Sequence, residues 1–270
     1  MLIIAILALS LVVWLIAQPS LVRRRRQRVR SQPFPAAWRE ILRQRVPYLR
    51  ALPPDLQLQL KQHIQVFLAE KPFIGCAGLV ITDEIRVTVA AQACLLILNR
   101  PTDYYPRLRQ ILVYPGAFIV NQVQRDDAGM VSEDGHVLSG QSWSQGQVIL
   151  SWEDVLEGAA EVDDAQNVVI HEFAHQLDQE KGHATGAPIL PSRQRYERWS
   201  VVMRQAYKQL QLDARMHQPS LFDHYGATDP AEFFAVVSET FFERPSSMAS
   251  QEPALYQELR DFYRIDPLSW

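Results

Sequence analysis

The stretch HEFAHQLD (171–178) places two imidazoles four residues apart, with a carboxylate next to the first. At helical spacing His171 and His175 share a face one turn apart, so both rings can reach one ion at about 2.0–2.1 Å. Glu172 is turned about 100° from His171, which sets it beside such an ion rather than on it. A carboxylate there can take a proton from metal-bound water whose pKa zinc has lowered towards 7, the chemistry of a zinc metallopeptidase. The same spacing also suits an ordinary helix that carries two histidines.

A hydrolytic zinc site takes three protein ligands. The extended pattern that ends in a third histidine is absent, because Asp178 and Lys181 stand at its glycine and histidine positions and His183 falls two residues late. A glutamate from a second helix is the other source. In DHYGATDPAEFFAVVSETFFE (223–243), Glu232 and Glu239 share a face two turns apart. As a structural residue Glu232 would close a capping box with Asp229. As a ligand it would complete a His-His-Glu set, with Glu239 competing for the role. Spacing alone leaves these open. Asp178 and Glu239 are also placed to orient imidazole N–H groups from behind.

These side chains need two helices to hold them. Asp163 or Asp164 is expected to cap the histidine helix, Val168, Val169, Ala174 and Leu177 to pack it, and Gly182 to end it. Asp229 and Pro230 read as N-cap and first residue of the second helix, with Phe233, Val236, Val237 and Phe241 on its apolar side. Upstream, residues 36–70 read as two helices broken at LPPD (52–55), and RVTVAAQACLLILNRP as a buried helix stopped by Asn99 and Pro101. PFIGCAGLVITDE suggests an extended segment and a turn. RQILVYPGAFIV predicts two strands around Pro-Gly, and HVLSGQSWSQGQVILSWEDV a hairpin turning at Gly146. GQVILSW (146–152) is either a plain hairpin strand in the core or a strand with a free edge beside the cleft, on which an extended peptide can add. Strands gathered between helices make an α+β class with a small central sheet.

The 270 residues are 47% hydrophobic and 21% charged, an ordinary globular composition. Cys76 and Cys94 have apolar neighbours and read as buried free thiols in a reducing compartment. Residues 23–50 hold ten arginines and one acid, whereas 51–270 hold 17 basic and 29 acidic residues. So acidic a body excludes nucleic acid as a partner, since that surface must displace counterions. Residues 1–22 carry no charge, and MLIIAILALSLVVWLIA has one serine as its only polar residue. As one helix the run is about 30 Å long, so the expectation is a single transmembrane anchor over 1–22. A basic juxtamembrane linker over 23–37 follows, and the arginines keep the body at 38–270 on the cytosolic side.

HEFAHQLD, SWSQGQVILSWEDV and YGATDPAEFFAVVSETFF together resemble the Mlc titration factor A family of zinc peptidases, from about residue 38 to FYRIDP near the C-terminus. HEFAHQLD and EFFA are also similar to the protease domain of anthrax lethal factor. The resemblance implies a zincin-like, gluzincin-type metallopeptidase domain over 38–270 with aminopeptidase-like activity. It implies that His171, His175 and Glu232 bind Zn2+, that Glu172 is the general base, and that Tyr225 steadies the oxyanion. Implied partners are a peptide or protein substrate and a cytosolic transcriptional repressor. The alternative function is a regulatory binding protein that sequesters that repressor, with zinc structural or vestigial. With the apolar run, the expected location is the bacterial inner membrane, single-pass, with the catalytic domain facing the cytoplasm.

Overall fold

The computed structural model describes residues 2–125, 131–138, 140–143 and 146–270, and the side chains of 14, 17–117 and 146–270. The chain begins with α1 (Leu2–Arg30), α2 (Ala36–Arg45) and α3 (Pro54–Glu70). Strand β1 (Phe73–Gly75), helix α4 (Asp83–Leu95) and strands β2 (Gln110–Tyr114), β3 (Phe118–Arg125), β4 (Val131–Leu138), β5 (Gly140–Trp143) and β6 (Gln147–Ser151) follow. Then come α5 (Trp152–Ala160), α6 (Val168–Asp178), α7 (Arg193–Met216), α8 (Pro230–Glu243), α9 (Pro245–Gln251) and α10 (Pro253–Tyr263).

The fold is mostly helical, which corrects the α+β expectation. The expected strands are present, but they are short and serve one small sheet in the order β1-β2-β6-β5, with β3 and β4 as a separate pair. The first three run parallel and β5 runs antiparallel to β6. The strands on either side of Pro115-Gly116 each pair elsewhere, β2 with β1 and β6, and β3 with β4. The 140–151 hairpin forms as expected, with Gly146 at φ +80°, while residues 144 and 145 lie outside the described residues. Strand β6 is paired on both sides, so GQVILSW has no free edge. Its Val148, Ile149 and Leu150 are all buried, and an uninterrupted apolar run marks an interior strand.

The N-terminal segment departs further from expectation. Among the described residues no helix is long and apolar enough to cross a membrane, which corrects both the transmembrane anchor and the inner-membrane location. Helix α1 continues past the apolar run to Arg30, and the arginines lie within it. Two of them face protein. Arg26 forks onto Glu70 through Nε and Nη2, at 2.8 and 2.9 Å, and reaches Asp103 through Nη1 at 2.6 Å. Arg30 donates to the Tyr104 hydroxyl, and both guanidiniums lie near the Tyr104 ring. Part of the positive charge expected in the juxtamembrane linker therefore pairs with the body.

The interior helices are α3, α4, α6 and α8. Helix α4, capped by the Thr82 side chain, buries Val87, Val89, Ala90, Ala91 and Ala93, the all-round apolar surface of a core helix. Cys94 is buried and Cys76 half-buried, both as free thiols. Helix α8 turns its back to α7 and α10. There Phe234 packs on Trp199 and Phe262, Phe241 stacks on Tyr263, and the Tyr263 hydroxyl donates to Ser238 at 2.7 Å. Each such buried aromatic is worth about 1.5–3 kcal/mol, and together they hold the opposite, glutamate-bearing face of α8 towards α6.

Candidate metal centre

Helix α6 starts at Val168, later than expected. Its cap is Asn167, whose side-chain oxygen accepts from the Ile170 N–H at 3.0 Å, rather than Asp163 or Asp164. Both aspartates precede the true start, and only Asn167 has a side chain within reach of the free N–H groups. At its other end the helix passes into a 3-10 turn over Gln179–Lys181, where Arg107 donates to the carbonyls of Gln179 and Gly182 at 3.0 and 2.9 Å. Helix α8 starts as expected, with Asp229 accepting from the N–H groups of Ala231 and Glu232.

The structure brings His171, His175 and Glu232 together. Glu232 Oε2 lies 3.0 Å from His171 Nε2 and 3.3 Å from His175 Nε2. Each residue offers one donor atom to a cluster no wider than 4.8 Å. Two donors held at 2.0–2.1 Å by a tetrahedral ion stand about 3.3 Å apart, so two imidazoles and a carboxylate in this triangle fit zinc in both spacing and donor type. The Glu232 carboxylate therefore points to the imidazoles, the direction a ligand needs.

Glu239 lies behind the first histidine. Its Oε1 is 2.8 Å from His171 Nδ1, and its Oε2 accepts from the Asn167 N–H at 2.6 Å. Glu243, one turn on, accepts from the Asn167 side-chain amide at 2.9 Å. Helix α8 thus lays three carboxylates along α6. Two face opposite nitrogens of one imidazole and the third faces the helix cap. In a centre that holds a metal, a carboxylate on Nδ1 would keep the proton there and leave the Nε2 lone pair to the ion. Of the two residues expected to orient imidazoles, Glu239 lies within hydrogen-bond distance of one, at His171 Nδ1. Asp178 instead accepts from three backbone N–H groups, of Thr185, Gly186 and Ala187.

The electrostatics separate the carboxylates. Burial opposes the charge on Glu232, but hydrogen bonds from both imidazoles outweigh it and hold its pKa well below the usual range. Glu172 is buried without such a bond. Burial, offset in part by the two histidines and reinforced by Glu232 and Glu239, pushes it up to about 7. Its Oε2 has no hydrogen-bond partner among the described residues. Burial also raises Glu239, against the pull of His171. Burial opposes charge on His171, but Glu239 and Glu232 raise its pKa well above the ordinary imidazole value.

Tyr225 sits on a 3-10 turn, His224–Ala227, with its N–H held by Asp223 at 2.7 Å. The ring is half exposed and its centroid is 6.1 Å from that of His171. Burial and the nearby Glu232 raise its hydroxyl to about 12, so it stays protonated at neutral pH. Sequence reasoning missed Asn167 and Glu243. Their signal was available, since Glu232, Glu239 and Glu243 recur on one helical face and an amide precedes the first apolar residue of α6.

A histidine pair on one interior helix, a glutamate facing it from a second, and a buried carboxylate beside them define a metallopeptidase-like domain. The sequence relationships agree: residues 21–264 match the family model described as glucose-regulated metallo-peptidase M90, and the chain belongs to that family. An uncharacterized protein of Synechocystis is 41% identical over 261 residues, 96% of this chain and 95% of the relative. Proteins named Mlc titration factor A are 37% identical in Klebsiella pneumoniae, over 83% of this chain and 84% of the relative, and 36% identical in Escherichia fergusonii, over 86% of each. Membership in this family implies a metal.

Proposed function

We propose that the chain is a zinc-dependent peptidase in which His171, His175 and Glu232 hold the metal and Glu172 moves the protons. The observation that carries this is the meeting of one Glu232 oxygen with both imidazole Nε2 atoms, beside the buried carboxyl of Glu172. Zinc, when bound, supplies a Lewis acid that polarises the scissile carbonyl and acidifies water. Near neutrality Glu172 is poised to accept a proton from the attacking water and return one to the leaving amine. Tyr225, protonated and half exposed, donates to the developing oxyanion. With β6 paired on both sides, the outer strands of the sheet among the described residues are β1 and β5, and β5, which packs against α6, is the edge on which an extended peptide would add as a strand.

The experiment is metal analysis and peptide-library digestion of the full chain, with Glu172→Gln and Glu232→Ala beside it. Wild type should hold about one zinc and cleave. Glu172→Gln should keep zinc and not cleave, and Glu232→Ala should lose both. Single-residue products from peptide N-termini would support the aminopeptidase-like mode, and internal fragments would exclude it. The name of the relatives, a titration factor for Mlc, favours a second reading in which the chain binds a transcriptional regulator. That reading takes over if neither protein cleaves and both bind the regulator equally; cleavage by Glu172→Gln at the wild-type rate removes only the general-base assignment.

A further inference from the structure

Asp178 lies three residues beyond His175 on α6 and is buried, 3% exposed. Its Oδ2 accepts from the N–H groups of Thr185 and Gly186, both at 2.6 Å, and its Oδ1 from that of Ala187 at 3.0 Å. The turn so gripped touches α8. Gly186 has φ +72°, and a Cβ there would lie 2.3 Å from the Pro230 carbonyl oxygen. Trp199 of α7 fixes the same glycine from another side, its Nε1 donating to the Gly186 carbonyl at 2.9 Å. Pro230 opens α8, two residues before Glu232. A closed path therefore runs from His175 through Asp178 and Gly186 to Pro230 and Glu232.

We propose that Asp178 is a positioning residue of the metal centre: by holding the 185–187 turn against Pro230, it sets where Glu232 stands relative to the two imidazoles. This rests on the reading of Glu232 as a metal ligand. A carboxylate suits the task because it is acceptor-only and here meets three donors. An asparagine of the same shape would turn an NH2 towards at least one of those N–H groups and release part of the turn. The glycine is equally specific. Alanine at 186 would be strained at this φ, and its Cβ would push on backbone at the first turn of α8.

The test is zinc affinity, measured by competition with a chromophoric chelator, in the full chain and in Asp178→Asn, Gly186→Ala, Glu232→Ala and the double variants that combine each with Glu232→Ala. Asp178→Asn and Gly186→Ala should each weaken zinc about 10- to 100-fold, the usual effect of losing a supporting group. In the Glu232→Ala background both should change affinity less than twofold, because their effect passes through Glu232. A purely structural role predicts a lower melting temperature with unchanged zinc affinity, and that result overturns the proposal. So does equal weakening with and without Glu232. If both variants fail to fold, these residues serve the general fold and the proposal also falls. Should Glu232→Ala itself retain full affinity, it is the ligand assignment that fails.

Discussion

Replacing Glu239 with glutamine would probe the support behind His171 with almost no change of shape. The carboxylate now takes two hydrogens, one from the Asn167 N–H at 2.6 Å and one from His171 Nδ1 at 2.8 Å. Glutamine offers one oxygen and one NH2, so only one of these bonds survives in its present form. If the oxygen stays on Asn167, the NH2 faces Nδ1, the ring proton moves to Nε2, and the lone pair meant for zinc is lost. If the oxygen turns to Nδ1, the NH2 opposes the Asn167 N–H, which begins α6 in the interior. A buried donor left unpaired costs about 1–3 kcal/mol. The first outcome reads as zinc affinity lowered about 10- to 100-fold. The second reads as a melting temperature lower by about 2–4 °C for each kcal/mol, for a domain of this size. Chelator competition and thermal melting of one preparation measure both. Zinc affinity within twofold of wild type, together with a melting temperature within about 1 °C, would refute the assigned role of Glu239.

Glu172→Gln should fold and bind zinc normally while peptidase turnover falls about 10²–10⁴-fold, since only the proton-transfer group is lost; an unchanged rate removes the general-base assignment. His63 is buried against the Tyr104 hydroxyl at 2.8 Å, and burial, reinforced by Arg30, lowers its pKa to about 4. The unfolded chain takes up that proton near 6.5 and the folded chain only near 4. The contribution of His63 to stability should thus be constant above pH 6.5 and fall by roughly 3 kcal/mol as pH drops from 6.5 to 4. His63→Gln should flatten this part of the denaturation profile, and an unaltered acid limb counts against the argument. Arg26→Ala removes the fork on Glu70 and should cost about 1–3 kcal/mol of α1 docking, seen as faster proteolysis within α1 at unchanged zinc content. Chelation should lower the melting temperature by removing a stabilisation that grows with the free zinc present before chelation, about 2.7 kcal/mol at a hundredfold excess over Kd; a melting curve indifferent to chelator means that the folded state holds no metal.

The parts most legible in the sequence were those written in local spacing. His171 and His175 declared their common face through helical periodicity, with Glu172 set beside it, and Asp229 with Pro230 marked the start of α8 to the residue. Whether Glu232 closes a capping box or faces the imidazoles was not local, since it depends on how α8 packs against α6. The strands were found but their pairing was not. RQILVYPGAFIV looks like one hairpin because nothing in it reports that β6 will lie beside β2. For QVILS the core reading holds and the free edge does not, as its unbroken run of apolar residues implies. The N-terminal arginines misled for a related reason. A charge beside an apolar run suggests headgroups until Glu70, Asp103 and Tyr104 arrive from distant parts of the chain.

The three glutamates of α8 also bear on how its sequence can vary in length. Glu232, Glu239 and Glu243 meet their targets on α6 because seven and four residues bring a helix back to nearly the same heading. One residue inserted or deleted between 232 and 239 would swing every later side chain by about 100°. Glu239 would leave Nδ1, Glu243 would leave the Asn167 amide, and Phe241 would rotate off Tyr263 in the same movement. No single compensating substitution restores all three. With Phe233 through Phe242 all buried, the segment should therefore tolerate no change in residue number, and any insertion must fall outside the helix.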